Sequence, residues 1–202
     1  MRNVIICGIG RAGKTTLSNM LKDRIKTLNL IHSDSIKWGI IIGKDKEKFY
    51  TENIEAQKEF EHSEEFQKII LEIFNNCIYD YENKYGYILE SGQLDPRIIH
   101  EIIDYKDTLV IALGHGSLTK QDIIELCRKN DTPKDWTYEI SDDELEKHAK
   151  KWADMNDTLE EECKKYNIKY IDTSKNRMEV LNKTLEYIVE EIENEKCDEK
   201  VI

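Results

Sequence analysis

Two hydrophobic patterns alternate along this chain. Short apolar runs bounded by polar or glycine-containing turns indicate buried β-strands, and apolar residues recurring every three or four positions indicate amphipathic helices. Strands regularly alternating with helices predict an α/β fold, in which right-handed crossovers place helices on both faces of a parallel sheet. We therefore expect a three-layer α/β/α architecture. The five runs that predict strands are residues 3–7, 28–32, 85–89, 108–113 and 168–171.

Helix boundaries carry their own sequence signals. Asp95 followed by Pro96 favours a helix start, because Pro is well tolerated at the first helical position. Ser141 with Glu144 three residues later has the form of a capping box. The charged residues 194–202 are expected to form a frayed tail. The predicted helices are residues 14–26, one or two helices within 51–85, and 96–103, 119–129, 141–166 and 178–193.

The clearest chemical signal lies between the first strand and the first helix, where residues 8–15 match G-x-x-x-x-G-K-[ST]. Such a loop binds nucleoside triphosphates, because its glycines let successive backbone N–H groups converge on a phosphate. The alternative is a glycine turn that only joins strand to helix. Lys14 is expected to reach the β- and γ-phosphates, and the Thr15 hydroxyl is expected to bind Mg²⁺. The predicted nucleotide contacts in this segment are Gly8, Gly10, Arg11, Ala12, Gly13, Lys14, Thr15 and Thr16.

Polar residues follow the other strands. Asp34 comes soon after the second predicted strand, and Glu90 directly follows the third. In open α/β sheets ligands gather at the carboxyl ends of the strands, so both carboxylates are candidate site residues. A carboxylate that ends a buried strand also needs a polar partner. The alternative for Asp34 is an N-cap of the following helix, which does not exclude a role in catalysis.

Composition narrows the class of protein. The chain has 202 residues, enough for a single domain with a substantial core. Its net charge of −11 argues against nucleic acid or an anionic membrane surface as the main partner, and the sequence has no long apolar stretch. Five scattered cysteines, without a C-x-x-C pair or a secretory leader, predict a reduced, cytoplasmic protein.

Two classes of nucleotide-binding protein are disfavoured. A GTPase would carry N-K-x-D and D-x-x-G, and the nearest strings, at residues 83–86 and 80–83, differ at the deciding positions. A motor or oligomeric ATPase would have a larger module and an acidic pair at the end of a buried strand, neither of which is present.

The remaining arrangement resembles the nucleoside monophosphate kinase-like P-loop kinases, a group that includes adenylate and shikimate kinases. The features in common are the phosphate loop, polar strand ends, a helical insertion after the second strand and an irregular segment between two late helices. The resemblance implies a kinase that transfers the γ-phosphoryl group of ATP, with Mg²⁺, to a small soluble acceptor such as a nucleoside, a nucleotide or another small alcohol. It also implies one domain over residues 1–202, monomeric or homodimeric, with an acceptor-binding insertion at 35–62 and a lid at 129–140.

The resemblance also suggests roles for individual residues. Asp34 would accept the acceptor proton or orient the acceptor oxygen, and Glu90 would hold Mg²⁺ through water or bind the acceptor. Arg128, at the start of the lid, would stack on the nucleotide base or clamp the transferring phosphoryl group on closure, or would only complete a helix C-terminus. Thr173 and Arg177, after the fifth strand, would form the edge of the base pocket, although Arg177 fits an exposed helix surface equally well.

Two other functions fit the same loop. The first is a regulatory NTPase that binds nucleotide without a small-molecule acceptor. The second is a toxin-like kinase that acts on a cell-wall sugar nucleotide.

Overall fold

A computed structural model of the chain describes residues 2–40, 43, 59–77 and 85–198. Part of the predicted insertion at 35–62 therefore lies outside the described residues. Five parallel strands form one sheet in the order β2-β3-β1-β4-β5. The strands are β1 (Asn3–Gly8), β2 (Leu28–His32), β3 (Gly86–Glu90), β4 (Thr108–Gly114) and β5 (Lys169–Asp172).

The centre of the sheet is formed by β1 and β4, and every residue in both strands is buried. Ile5 of β1 pairs with Val110 of β4 on one side and with Leu89 of β3 on the other. Continuous apolar runs suit these positions because helices cover both faces of a parallel sheet. The predicted fold class is confirmed.

In the described part of the chain, six helices with complete bounds surround the sheet. Residues 33–40 and 59–61 are also helical. The helices are α1 (Lys14–Arg24), α2 (Glu64–Cys77), α3 (Pro96–Ile102), α4 (Lys120–Asn130), α5 (Asp142–Lys165) and α6 (Arg177–Asp198).

The last helix is longer than its sequence pattern predicts. Its apolar face is buried through Ile192, and the backbone stays helical to Asp198. Extending a formed helix adds one hydrogen bond for each residue fixed, so the charged residues after Ile192 can continue it. The frayed tail predicted for residues 194–202 stays a prediction, since the backbone is helical through Asp198 and residues 199–202 lie outside the described residues.

The helix starts agree only partly with the predicted caps. Pro96 occupies the first turn of α3, but the Asp95 carboxylate does not cap the helix and instead accepts a hydrogen bond of 2.9 Å from Gln67 Nε2. The Ser141 hydroxyl accepts the Glu144 N–H, as predicted for α5. The complete, reciprocal capping box is at the start of α4, between Thr119 and Asp122.

One hydrophobic cluster joins both faces of the sheet to the helices. Within the described ranges, no helix is long and apolar enough to cross a membrane. The four cysteines whose side chains are described are free thiols. Because the strands are parallel, the carboxyl ends of β1, β3 and β4 meet at one edge, where the phosphate loop also lies.

Candidate active site

The phosphate loop joins β1 to α1. The Ile9 N–H donates to the Leu113 carbonyl at 2.9 Å, which ties the start of the loop to the end of β4. Gly13 has a φ of 102°, a conformation that favours glycine, and it forms the N-cap of α1. Lys14 then begins the helix, and its buried Nζ donates to the Ile9 carbonyl at 2.7 Å. Burial lowers the pKa of Lys14, and the nearby Glu90 carboxylate opposes that shift.

An aromatic cluster covers one side of the loop. A Cβ at Gly10 would lie 2.4 Å from the Trp152 ring, so only glycine allows this close approach. Trp152 stacks with His148 at 5.6 Å between centroids, and Trp136 meets both rings edge-on. Sequence reasoning did not identify Trp136 and Trp152 as residues of this site. No local signal connected them with the loop.

Arg11 links the phosphate loop to the predicted lid. It has a φ of 63°, and its guanidinium forms ion pairs with Asp131 and Asp135. Hydrogen bonding to Arg11 lowers the pKa of Asp135 to about 2. The predicted contact of Arg11 with the nucleotide stays a prediction, because in the structure its side chain is paired with Asp131 and Asp135.

Arg177 lies next to the loop. A Cβ at Gly13 would lie 3.2 Å from Arg177 Nε. Burial lowers the pKa of Arg177, and the positive charge of Arg11 lowers it further. Arg177 is therefore a partly buried cation at the phosphate loop and not an exposed surface arginine.

Glu90 connects the loop to β2. Thr15 Oγ1 lies 3.5 Å from one Glu90 carboxylate oxygen, and His32 Nδ1 lies 2.8 Å from the other. A hydroxyl and a carboxylate are the hard oxygen ligands that Mg²⁺ prefers, so Thr15 and Glu90 fit a magnesium ion. Among the described residues no group of three or more His, Cys, Asp and Glu side chains could hold a metal. Mg²⁺ usually takes several of its ligands from substrate phosphates and water, so two protein ligands are enough for it.

Asp34 lies close enough to the phosphate loop for its charge to act on Lys14. One of its carboxylate oxygens accepts from Gln93 Nε2 at 3.1 Å and from Lys37 Nζ at 3.0 Å. Lys37 Nζ also contacts Glu61 at 3.1 Å, and Ser33 Oγ donates to Gln93 Oε1 at 2.6 Å. Sequence reasoning missed Lys37 and Gln93, although each had a usable signal. Lys37 is one helical turn after Asp34, and Gln93 lies in the polar segment after β3.

One cleft with a volume of about 1360 Å³ is lined by these groups. Both strand-end carboxylates line it together with the loop, as the sequence predicted. The predicted site residues that line the cleft are Gly10, Arg11, Gly13, Lys14, Thr15, Thr16, Asp34, Glu90 and Arg177.

Gly8 and Ala12 belong to the loop but do not line the cleft. Both are buried. A Cβ at Gly8 would lie 2.0 Å from the Leu113 carbonyl oxygen, so glycine at this position allows β1 and β4 to pack closely. Ala12 has a side chain in the core and donates its N–H to the Ile9 carbonyl.

Arg128 and Thr173 are placed outside the cleft. The Arg128 guanidinium donates to the backbone carbonyls of residues 137, 138 and 140 and pairs with Asp142 at 2.7 Å. It therefore holds together the irregular segment between α4 and α5. Thr173 is buried, and both its N–H and its hydroxyl donate to the Gly114 carbonyl at 2.9 Å. In this arrangement neither side chain faces the phosphate loop.

Comparison with known proteins relates this geometry to solved structures. No family model matches the chain, and no curated protein sequence matches it. A gluconokinase from Sinorhizobium meliloti is similar, with 11% identity and a TM-score of 0.58 over 98% of this chain and 97% of that one.

Two shikimate kinases are also similar. The Acinetobacter baumannii enzyme, in complex with shikimate, has 17% identity and a TM-score of 0.55 over 97% of this chain and 95% of its own. The Bacteroides thetaiotaomicron enzyme has 13% identity and a TM-score of 0.54 over 95% of this chain and 98% of its own. The resemblance to the nucleoside monophosphate kinase-like P-loop kinases is thus confirmed at the level of the fold.

Proposed function

We propose that this protein is a kinase that transfers the γ-phosphoryl group of ATP to a hydroxyl group of a small acceptor. The observation that carries the proposal is that Lys14 and Thr15 share one cleft with Glu90 and Asp34. A phosphate-binding loop and a carboxylate suited to a hydroxyl acceptor therefore face the same space.

The donor would bind at the loop. Backbone N–H groups and the N-terminus of α1 favour negative charge there, and Lys14 and Arg177 add cationic side chains. Thr15 and Glu90 would hold the magnesium ion, which neutralises phosphate charge when bound. Such preorganised positive groups lower the barrier because they stabilise the charge that spreads over the phosphoryl oxygens.

The acceptor would bind in the cleft beside Asp34. As the acceptor oxygen forms its bond to the γ-phosphorus, the bond from that phosphorus to the ADP oxygen breaks, and Asp34 takes the acceptor proton. Gln93 and Lys37 hold the Asp34 carboxylate in place. Trp136, in the segment between α4 and α5, lines the same cleft and would help to exclude water.

The structural neighbours support a small acceptor. They are named as a gluconokinase and as shikimate kinases, one of them in complex with shikimate. Because identity to them is 17% or less, the acceptor of this chain has to be found by experiment.

The test is a search for a phosphorylated product. The purified protein is incubated with ATP, Mg²⁺ and a pool of small metabolites, and mass spectrometry detects compounds that gain one phosphoryl group. Lys14→Ala should abolish this gain, while Lys22→Ala, at an exposed lysine of the same helix, should not. Circular dichroism checks that both variants fold.

Two results would contradict the proposal. Tight ATP binding without any phosphorylated small product would favour the regulatory NTPase. Full activity of folded Lys14→Ala would exclude the phosphate loop as the donor site.

A further inference from the structure

His115 supports the phosphate loop from the interior of the protein. It follows β4 directly and is 1% exposed. Its Nε2 lies 2.7 Å from the Gly10 carbonyl oxygen. A carbonyl can only accept, so Nε2 carries the ring proton and Nδ1 is left as an acceptor. That Nδ1 is buried and has no hydrogen-bond partner among the described residues.

The Gly10 carbonyl belongs to a tight turn. The Ala12 N–H donates to the Ile9 carbonyl at 3.3 Å, and Arg11 between them has a φ of 63°. A positive φ at Arg11 without one at Gly10 identifies a type II turn with Gly10 and Arg11 at its centre. This φ is uncommon for a residue other than glycine. A type I turn would avoid the positive φ at Arg11. In that turn the Gly10–Arg11 peptide is rotated, so that its carbonyl and N–H point in the opposite directions.

The direction of that peptide matters for phosphate binding. In a trans peptide the carbonyl and the next N–H point to opposite sides. Because the Gly10 carbonyl points inward to His115, the Arg11 N–H points away from it. Gly10 and Arg11 line the cleft and His115 does not. The Arg11 N–H is thus one of the groups aimed at the space above the loop.

The backbone of His115 is itself fixed by a buried network. The His115 N–H donates to Asn156 Oδ1 at 2.7 Å, and Asn156 Nδ2 donates to the Gly116 carbonyl at 2.6 Å. The Tyr170 hydroxyl donates to the same Asn156 oxygen at 2.9 Å and accepts the Gly116 N–H at 3.1 Å. These bonds anchor the end of β4 to α5 and β5, so the imidazole is held firmly beneath the loop.

We propose that His115 is a positioning residue of the donor site, whose Nε2–H holds the Gly10–Arg11 peptide so that the Arg11 N–H faces the donor phosphates. The role of the peptide in binding rests on the proposed function. The conformation that His115 imposes on the loop does not depend on it.

The surroundings of the ring keep it neutral. Burial lowers the pKa of His115 to about 4, and the nearby positive charges of Arg177 and Lys14 act in the same direction. The Gly10 carbonyl and the Asp172 carboxylate oppose them. At neutral pH the ring is therefore an uncharged donor, and it stays so well below the ordinary histidine pKa of about 6.5.

The first test uses the unmodified protein and no substrate. Nitrogen-15 NMR of the histidine side chains should show one ring that is protonated only at Nε2 and does not titrate between pH 8 and pH 5.5. Loss of this signal in His115→Gln identifies it. A His115 ring that is protonated at Nδ1, or that titrates near pH 6.5, would overturn the proposal.

The second test compares two substitutions. The amide of His115→Gln can still donate to the Gly10 carbonyl, whereas His115→Leu cannot. We expect His115→Leu to weaken ATP binding about tenfold and to raise KM for ATP more than it lowers kcat, because one charge-assisted N–H contact is lost. His115→Gln should stay within about threefold of the original affinity. His100→Leu, at an exposed histidine, is the matched control.

The outcomes separate the two proposals. Equal ATP affinity in folded His115→Leu and His115→Gln would overturn the role of His115. An original protein that binds no ATP would overturn the proposed function, and the NMR test would then still decide whether His115 holds the loop.

Discussion

Removing the Arg11 side chain should strongly destabilise the protein, because it would leave a buried carboxylate without a counter-ion. Arg11 pairs with Asp131, whose side chain is 2% exposed, and with Asp135, whose side chain is 27% exposed. Breaking a buried ion pair from one side costs about 3–5 kcal/mol. The partly exposed Asp135 would add at most about 1 kcal/mol. We therefore expect Arg11→Met to lower the free energy of unfolding by about 3–5 kcal/mol.

The chain contains a matched control for this substitution. Arg97 also pairs with two carboxylates, Glu64 and Glu101, each at 2.8 Å, but all three side chains are more than 40% exposed. Exposed ion pairs contribute little to stability, so Arg97→Met should have a small effect. The two substitutions remove the same charge and the same number of ion pairs, and they differ in burial.

Thermal and urea unfolding measure the difference. In a chain of this length, 1 kcal/mol corresponds to a change in Tm of about 2–4 °C. Arg11→Met should therefore lower Tm by about 6–20 °C, and Arg97→Met by less than about 4 °C. Adding Asp131→Asn to Arg11→Met should recover much of the loss, because the buried charge is then removed as well. Similar small losses in both single variants, or no recovery in the double variant, would refute the reasoning.

Three further predictions concern the same cleft. Arg11 depresses the pKa of Asp135 to about 2, so this ion pair contributes stability above pH 4 that is lost as the pH falls towards 2. After allowance for solvent screening, this contribution amounts to about 1 kcal/mol. Asp135→Asn should therefore flatten this part of the pH dependence of stability, which urea unfolding measures. Gly10→Ala would place a Cβ 2.4 Å from the Trp152 ring, so we expect it to destabilise the protein by about 1–3 kcal/mol and to weaken ATP binding. Trp152→Leu should partly reverse both effects. If the stability losses of the two substitutions simply add in the double variant, this explanation is contradicted. Asp34→Asn should lower kcat about 10²–10⁴-fold with little change in KM for ATP, and unchanged kcat in steady-state assays would rule out Asp34 as the base.

Much of the fold could be predicted because its signals are local. The apolar runs of β1 and β4 are continuous, as burial on both faces of a parallel sheet requires. The meeting of Asp34 and Glu90 with the phosphate loop was also predictable. It follows from parallel topology, which brings the carboxyl ends of different strands to one edge.

The role of Arg128 could not be read from its position. An arginine at the end of a helix can point towards a ligand, a carboxylate or the helix carbonyls, and sequence does not choose among them. In the structure the segment after α4 turns back, so that the carbonyls of residues 137, 138 and 140 converge on the guanidinium. The convergence depends on the path of an irregular segment, which no periodic pattern specifies.

The conformation of the phosphate loop depends on residues far from it in sequence. On α5, Trp152 and Asn156 lie one helical turn apart, and their spacing predicts only that both face the core. In the structure Trp152 packs on Gly10, while Asn156 holds the backbone of His115, whose ring binds the Gly10 carbonyl. Under the proposed function, the motif supplies the N–H groups and the cations that bind phosphate. The direction of one of these groups, the Arg11 N–H, depends on contacts from α5 and the end of β4, so substitutions at Trp152 or Asn156 should alter nucleotide affinity although neither residue belongs to the motif.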